Sequence, residues 1–328
     1  MSQISAAVTG GTGFLGSHVA KKLTDFGYDV SVISDLSSGG AQNLTELGSK
    51  PRLIIGDLRD ASFAKKSLEG IDKLYHFAAD IGNVAYLHDS ESNEQSALAN
   101  NSAIDTNVFR ACAENRVGVI IYASSVSVYP KSEQMGMKVA FKEEDSERLI
   151  DPEGGYGWAK YIAEKQLAVM PKTKVGIARI FHAYGPNIYL KEDRSQVIGS
   201  LIRKAIRYPK EDFVVWGDGS QRRAFLYIDD FLDGLSRLDE YVETKGKLTV
   251  NLGTTEETTI KDLAETIIGI SGKRIAPKYD TTKPVGVLRR LPDLSRAEKT
   301  LGWRPKTKLV DGLSKTYEWA ERRIATWS

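Results

Sequence analysis

The feature that most restricts the fold of this chain is a glycine-rich turn set between two differently patterned runs. Ile4 to Thr9 is a short apolar run of strand character, Gly10-Gly-Thr-Gly13-Phe-Leu-Gly16 follows at once, and Ser17 to Phe26 carries a helical pattern. Strand, glycines and helix in this order form a phosphate cradle. Gly10 and Gly13 permit a tight turn with close backbone approach, Gly16 lets the helix pack closely on the strand, and the free N–H groups of the helix N-terminus attract a pyrophosphate. The spacing is G-x-x-G-x-x-G, a variant of the G-x-G-x-x-G dinucleotide fingerprint. Phe14 and Leu15, between the last two glycines, join Gly10, Gly13 and Gly16 as expected cofactor contacts.

The rest of the first half repeats strand and helix. Asp29 to Ser34 reads as the second strand, and the acidic Asp35 follows Ser34, where a carboxylate holds the adenosine ribose hydroxyls of NAD. No arginine stands beside it to pair with a 2′-phosphate, which favours NAD and leaves NADP open. Further strands are expected over Arg52 to Ile55, followed by Asp57-Leu58; Lys73 to Phe77, followed by Ala78-Ala79; and Val117 to Ala123, followed by Ser124-Ser125. Helical stretches separate them, notably Asn101 to Asn115. This alternation predicts an α/β fold with a doubly wound parallel sheet of the Rossmann type. At 328 residues the chain exceeds the usual length of one domain. We expect a dinucleotide-binding domain over 1–181 and a smaller mixed α/β substrate domain over 182–328, with the segment near 224–245 returning to the first. In the second half we expect helices over Gln196 to Arg207, Ile260 to Ser271 and Leu309 to Ile324, strands over Phe213 to Trp216 and Leu248 to Leu252, and a helix capped by Asp229 or Asp230.

Composition removes several function classes. Lys plus Arg number 45 against 43 Asp plus Glu, a net charge of +2, too small for a nucleic-acid surface. Cys112 is the only cysteine, so there is no disulfide framework, and His18, His76, His88 and His182 lack metal-site spacing. No apolar run approaches the roughly 18 residues of a membrane span, and the start of the chain lacks a signal-peptide pattern. A cytoplasmic protein without membrane partners is expected.

Chemistry concentrates in Tyr156-Gly-Trp-Ala-Lys160. On a helix read from Tyr156 to Val169 the phenol and the ammonium fall one turn apart on one face. A free tyrosine ionises near pH ~10, so a fixed positive charge beside it favours the phenolate. The plain reading is an exposed pair on a surface helix. The polar run from Tyr129 to Gly155 reads as a loop across the site or as a surface insertion, with Glu143-Glu144-Asp145 solvated.

With the glycine turn, Ser124-Ser125, Tyr156-x-x-x-Lys160 and Trp216-Gly-Asp-Gly-Ser-Gln-Arg-Arg-Ala-Phe in register, the chain resembles the extended short-chain dehydrogenase/reductase family, whose members modify nucleotide sugars. The resemblance runs nearly end to end, including Lys283-Pro-Val-Gly and Leu301-Gly-Trp-Arg-Pro305. It implies a catalytic trio of Ser125, Tyr156 and Lys160, with Tyr156 as acid or base and Lys160 lowering its pKa and holding the nicotinamide ribose. It further implies that Asn107 supports the cofactor, that Asp57 and Leu58 flank adenine, that Ala78 and Ala79 line the cofactor channel, and that Arg223 binds the substrate diphosphate. Ser127, His182, Gln196 and Trp216 are the remaining expected substrate contacts.

Ala78-Ala-Asp-Ile-Gly-Asn-Val-Ala-Tyr-Leu87 and Ser124-Ser-Val-Ser-Val-Tyr-Pro130 look most like GDP-mannose 3,5-epimerases and GDP-fucose synthases, which favours a GDP-sugar. Those epimerases carry a further acid/base pair where this chain has Ser127 and Gln196. His182 stands where many relatives have asparagine; it is either a sugar or diphosphate contact or a structural histidine. The resemblance leaves a C4 epimerase as the leading expectation. Alternatives are a GDP-sugar C4 reductase or dehydrogenase, a GDP-mannose 3,5-epimerase-like enzyme, and a noncatalytic NAD-sensing relative. It also implies a homodimer.

Overall fold

The computed structural model describes residues 3–135 and 140–327. Its centre is a seven-stranded sheet formed by β1 (Ser5–Thr9), β2 (Asp29–Ser34), β3 (Arg52–Ile55), β4 (Lys73–His76), β5 (Val119–Ser125), β6 (Lys174–Ile180) and the strand Lys247–Leu252. From one edge the order is Lys247–Leu252, β6, β5, β4, β1, β2, β3, parallel throughout. Such strands are covered on both faces and read as continuous apolar runs, as β1 does, whose residues after Ser5 are all buried. The winding reverses between β1 and β4, where Thr9 stands opposite His76. A crevice must open beyond the carboxyl ends of those two strands.

Several boundaries differ from the sequence pattern for identifiable reasons. Helix α1 (Phe14–Asp25) starts directly after its extended N-cap Gly13, so Gly16 lies inside the helix rather than before it. The helix Glu91–Asn115 begins ten residues before the apolar pattern does, capped by the Ser90 hydroxyl, which accepts from Asn93 N–H at 3.2 Å. Its first turns are polar, so periodicity cannot mark them. The helix Gly154–Ala168 crosses this one so closely that a Cβ on Gly155 would lie 1.9 Å from the Glu94 carbonyl oxygen.

The second half of the chain does not stay apart from the sheet. The helix Ile228–Lys245 leads into Lys247–Leu252, which pairs with β6 in the register Leu252 to Ile180. Asp229 and Asp230 do not cap that helix. Tyr227 is its N-cap, both aspartates lie in the first turn, and Asp230 accepts from the Thr307 backbone at 2.8 Å. Trp303, 1% exposed, packs on the same helix and donates its indole N–H to the Asp230 carbonyl. Small sheets complete this half: Arg222–Ala224 lies between Glu257–Thr259 and Arg289–Arg290, and Val214–Trp216 pairs with Lys278–Asp280. Among the described residues no helix is long and apolar enough to cross a membrane.

The described residues of the polar run before the helix Gly154–Ala168 carry more regular structure than that polarity suggests. It contains the short helices Lys131–Gln134 and Asp145–Arg148, and Glu143 is buried, not solvated, accepting from Asn251 N–H at 2.8 Å. Beside it Arg179, on β6, makes a two-pronged ion pair with Glu164 at 2.6 and 2.9 Å and donates to the Glu143 carbonyl, while Ser124 donates to Glu164 at 2.6 Å. Both charges are almost wholly buried. Arg179→Met strands the Glu164 carboxylate, and we expect a loss of about 3–5 kcal/mol in urea unfolding; a change below about 1 kcal/mol shows that the pair is not holding this region together.

Candidate active site

One large cavity, about 680 Å³, fills the crevice at the switch point and runs from the glycine turn to Trp216. At its first end the backbone must come close. Gly10 has φ 63°, and a Cβ there would lie 2.8 Å from the backbone of Ala78; a Cβ on Gly16 would lie 2.4 Å from the Gly10 carbonyl. The turn therefore presents backbone and the N-terminus of α1, with no side chain in the way. Ser34 is tied to Thr12 at 2.6 Å, whereas Asp35 is exposed and uses Oδ1 to accept from the Ser37 amide and hydroxyl. Asp57 is paired with Arg59 at 2.7 Å, a hydrogen bond that holds its carboxyl below the usual range. A bare glycine turn, an open helix N-terminus and a carboxylate past β2 together fit a dinucleotide.

Of the expected cofactor residues, Gly10, Gly13, Phe14, Leu15, Gly16, Ser34, Asp35, Asp57, Leu58, Ala78, Ala79, Tyr156 and Lys160 all line this cavity. Asn107 is not among them. Its amide donates to the Leu58 and Arg59 carbonyls at 3.1 and 2.8 Å, so it secures the loop behind Asp57. On the same helix the asparagine that lines the cavity is Asn100, two turns earlier, donating to Asp80 at 2.8 Å. Choosing between them requires the axial position on the helix, which the spacing alone does not give.

At the middle of the cavity Ser125 ends β5 and Tyr156 opens the helix Gly154–Ala168, and both line the cavity with the Ser125 hydroxyl near enough to the phenol to act on its pKa. Ser125 Oγ also accepts from the Ser127 N–H at 3.1 Å. Lys160 is 1% exposed, with Nζ 4.6 Å from the centre of the Tyr122 ring and 5.8 Å from that of Tyr156. Burial, with the Asp105 charge, pushes the Tyr156 phenol well above its usual value, and the neighbouring Ser125 hydroxyl only partly offsets this. Lys160 does not bring about the lowering expected of it. Burial likewise pushes the Lys160 ammonium down, opposed by Asp105 and Glu164.

Asp105, from the helix Glu91–Asn115, was not legible as a site residue. It is buried beneath the lysine and accepts from Tyr122 at 2.9 Å and from His76 Nε2 at 2.9 Å. Thr9 accepts from the Phe77 and Ala78 amides, so its own proton goes to His76 Nδ1 at 2.5 Å, leaving Nε2–H for Asp105. Burial keeps that imidazole neutral.

The far end is polar and net positive. Arg223 is buried and donates to the carbonyls of Val287, Arg222 and Leu288. Burial, then the like charge of Arg290, brings its pKa down to about 9. Arg290 lines the cavity and pairs with Glu153, whereas its neighbour Arg289 pairs with Glu257 at 2.6 Å and does not line it. Burial alone would raise the Glu153 carboxyl, but Arg290, with His88 and Arg223, prevails and holds it below its usual value. Ser127 donates weakly to Glu153 at 3.4 Å.

Two guanidiniums thus face one carboxylate. His182, at φ 42°, has its Nε2 sealed from solvent without a partner, and burial with the two arginines pushes it far below its usual value, so it is a neutral imidazole. Gln196 and Trp216 line the same end. Glu153, Asn100 and His88 line the cavity, and Asp105 lies behind its wall, although the sequence pattern singled out none of them as a site residue.

The chain matches the NAD dependent epimerase/dehydratase family over residues 6–253. The chain belongs to that family. It is 30% identical over 325 residues to GDP-mannose 3,5-epimerase 1 of Oryza sativa subsp. japonica, covering 98% of this chain and 83% of the relative. It is also 30% identical to UDP-glucuronic acid decarboxylase 6 of Arabidopsis thaliana, covering 95% and 87%. Among solved structures, UDP-glucose 4-epimerase from Thermotoga maritima, crystallised with UDP-glucose, superposes with a TM-score of 0.85 at 25% identity, covering 98% of this chain and 100% of that one. The protein is an enzyme of the extended short-chain dehydrogenase type, and NAD is its family's cofactor. Since a Cβ at Gly16 runs into the Gly10–Gly11 backbone, Gly16→Val should weaken NAD binding at least tenfold by calorimetric titration; an unchanged affinity would mean that the turn does not cradle the dinucleotide.

Proposed function

We propose that the enzyme is a nucleotide-sugar 4-epimerase acting by transient oxidation at sugar C4, with a GDP-sugar as substrate. The observation that carries this reading is the meeting of Ser125, Tyr156 and the buried Lys160 on one cavity wall, with Lys160 Nζ 5.8 Å from the centre of the Tyr156 ring, midway between a dinucleotide cradle and a net-positive pocket. NAD, when bound, supplies reversible hydride acceptance. Tyr156 takes the proton of the 4-hydroxyl and Ser125 hydrogen-bonds the same oxygen, so the developing charge has a donor on each side. Lys160, whose loss of charge on burial is opposed by Asp105 and Glu164, stabilises the phenolate and reaches toward the nicotinamide ribose. Asn100 and Asp35 serve the cofactor, and Asn107 steadies the loop that carries Asp57.

Arg223 and Arg290 hold the diphosphate, for which planar guanidiniums are suited. Desolvation of Arg223 makes an anionic ligand the natural compensation for its buried charge. His182 offers its unpartnered ring nitrogen to a sugar or phosphate oxygen. Ser127, Gln196 and Trp216 complete the sugar and base contacts. The GDP preference is supported by the likeness to GDP-mannose 3,5-epimerase.

Incubation with GDP-, UDP-, CDP- and dTDP-hexoses without added cofactor, followed by NMR of the products, tests the reading: an epimerase turns over unaided, whereas a net reductase requires cofactor in stoichiometric amount. Tyr156→Phe should lower kcat by at least 1,000-fold with an unchanged unfolding transition, and full activity in that variant sinks the mechanism. His182→Ala should raise KM about tenfold with a smaller change in kcat; an unaltered KM assigns this histidine to structure alone.

A further inference from the structure

The sugar chamber contains a second group arranged for proton transfer that the hydride chemistry does not use. The helix Val84–His88 brings His88 to the cavity wall, directly against the N-terminus of the catalytic helix: a Cβ on Gly154 would lie 2.7 Å from His88 Cε1. Leu87, its neighbour, packs on Tyr156. His88 Nδ1 lies 2.6 Å from Glu94 Oε1, and Glu94 Oε2 accepts from the Gly155 N–H. With both Glu94 oxygens acting as acceptors, the proton of the imidazole sits on Nδ1, and Nε2 presents a lone pair. Among the described residues nothing hydrogen-bonds that nitrogen. A base oriented by a carboxylate, with its reactive nitrogen uncommitted on the wall of a substrate cavity, has the arrangement that proton abstraction requires.

We propose that His88, oriented by Glu94, exchanges a carbon-bound proton on the sugar carbon next to C4, giving this enzyme proton chemistry at C3 or C5 besides its chemistry at C4. The proposal rests on the C4 reading above, because only a C4 ketone makes the neighbouring C–H acidic enough. His88 Nε2 takes that proton, the C–H electron pair becomes the carbon–carbon double bond of an enolate, and the carbonyl π pair moves onto the C4 oxygen. The hydroxyls of Tyr156 and Ser125 hydrogen-bond that oxygen. Return of a proton from the imidazolium restores the ketone, with no net oxidation. Because His88 is only half-buried, its proton exchanges with water between the two steps. Ser127 and Gln196, in place of the acid/base pair of 3,5-epimerases, do not provide such a group; His88 approaches from a different element.

The test is turnover of the hexose panel in D2O, with C3 and C5 read by NMR and hydride transfer read separately from a C4-deuterated sugar. We expect wild-type enzyme to place solvent deuterium at C3 or C5. His88→Gln should lower the ratio of that exchange to C4 hydride transfer by about 100-fold, and added imidazole should restore at least tenfold of the exchange to His88→Ala, an effect a merely structural histidine does not give. Hydride transfer at C4 without deuterium at C3 or C5 in the wild type, or an unchanged ratio in His88→Gln, overturns the proposal. Absence of hydride transfer instead marks failure of the C4 reading.

Discussion

The site depends on one close fit between backbones. Tyr156 lies between two glycines, and each meets a main-chain oxygen of another element: a Cβ on Gly155 would come 1.9 Å from the Glu94 carbonyl, and one on Gly157 would come 2.4 Å from the Ser127 carbonyl. Glycine within a helix costs about 1 kcal/mol relative to alanine, so two in one turn are unfavourable locally. They let the helix wedge between the end of β5 and the helix Glu91–Asn115. That wedge brings Ser125, Tyr156, Lys160 and His88 onto the wall of one cavity, with Asp105 and Glu94 buried or packed behind them.

Charge in this chamber is arranged in layers. The buried carboxylate of Asp105 is fed by a tyrosine and by a neutral histidine whose own orientation comes from Thr9 at the end of β1. The same strand thus supplies both the glycine turn and the first link of the chain that reaches Lys160. Asp105 opposes the loss of charge on Lys160, yet it also resists ionisation of Tyr156. Reactivity therefore depends on the balance between these two effects, and on exclusion of water that strengthens both.

Much of this was legible in the chain because local pattern and tertiary role coincide. β2, β3 and the helix Ile260–Ser271 begin and end where composition indicates, since apolar runs flanked by polar residues mark buried strands and amphipathic helices. The glycine turn and the placement of Tyr156 and Lys160 one turn apart on a helix are local, and so were readable. What failed depends on partners distant in sequence. Glu143 looks solvated until Asn251 and Arg179 are brought to it. Arg289 and Arg290 are chemically alike and only strand alternation separates them, one facing Glu257 and the other the cavity. Asn100 and Asn107 share a helix face, and the difference between them is height along the axis. Glu94 and His88 lie in a polar stretch without periodicity, so nothing in the pattern joins them.

The pairing of Lys247–Leu252 with β6 also bears on how the chain acquires its structure during synthesis. Six strands of the sheet are complete once residue 180 has been made, but β6 then presents a row of unpaired amide and carbonyl groups until residues far downstream emerge. Such an exposed edge is a template for wrong partners. The first half of this enzyme is therefore born with an open seam, and the strand that closes it emerges after the segments carrying His182, Gln196, Trp216 and Arg223 but before the one carrying Arg290, so the far wall of the cavity is finished last.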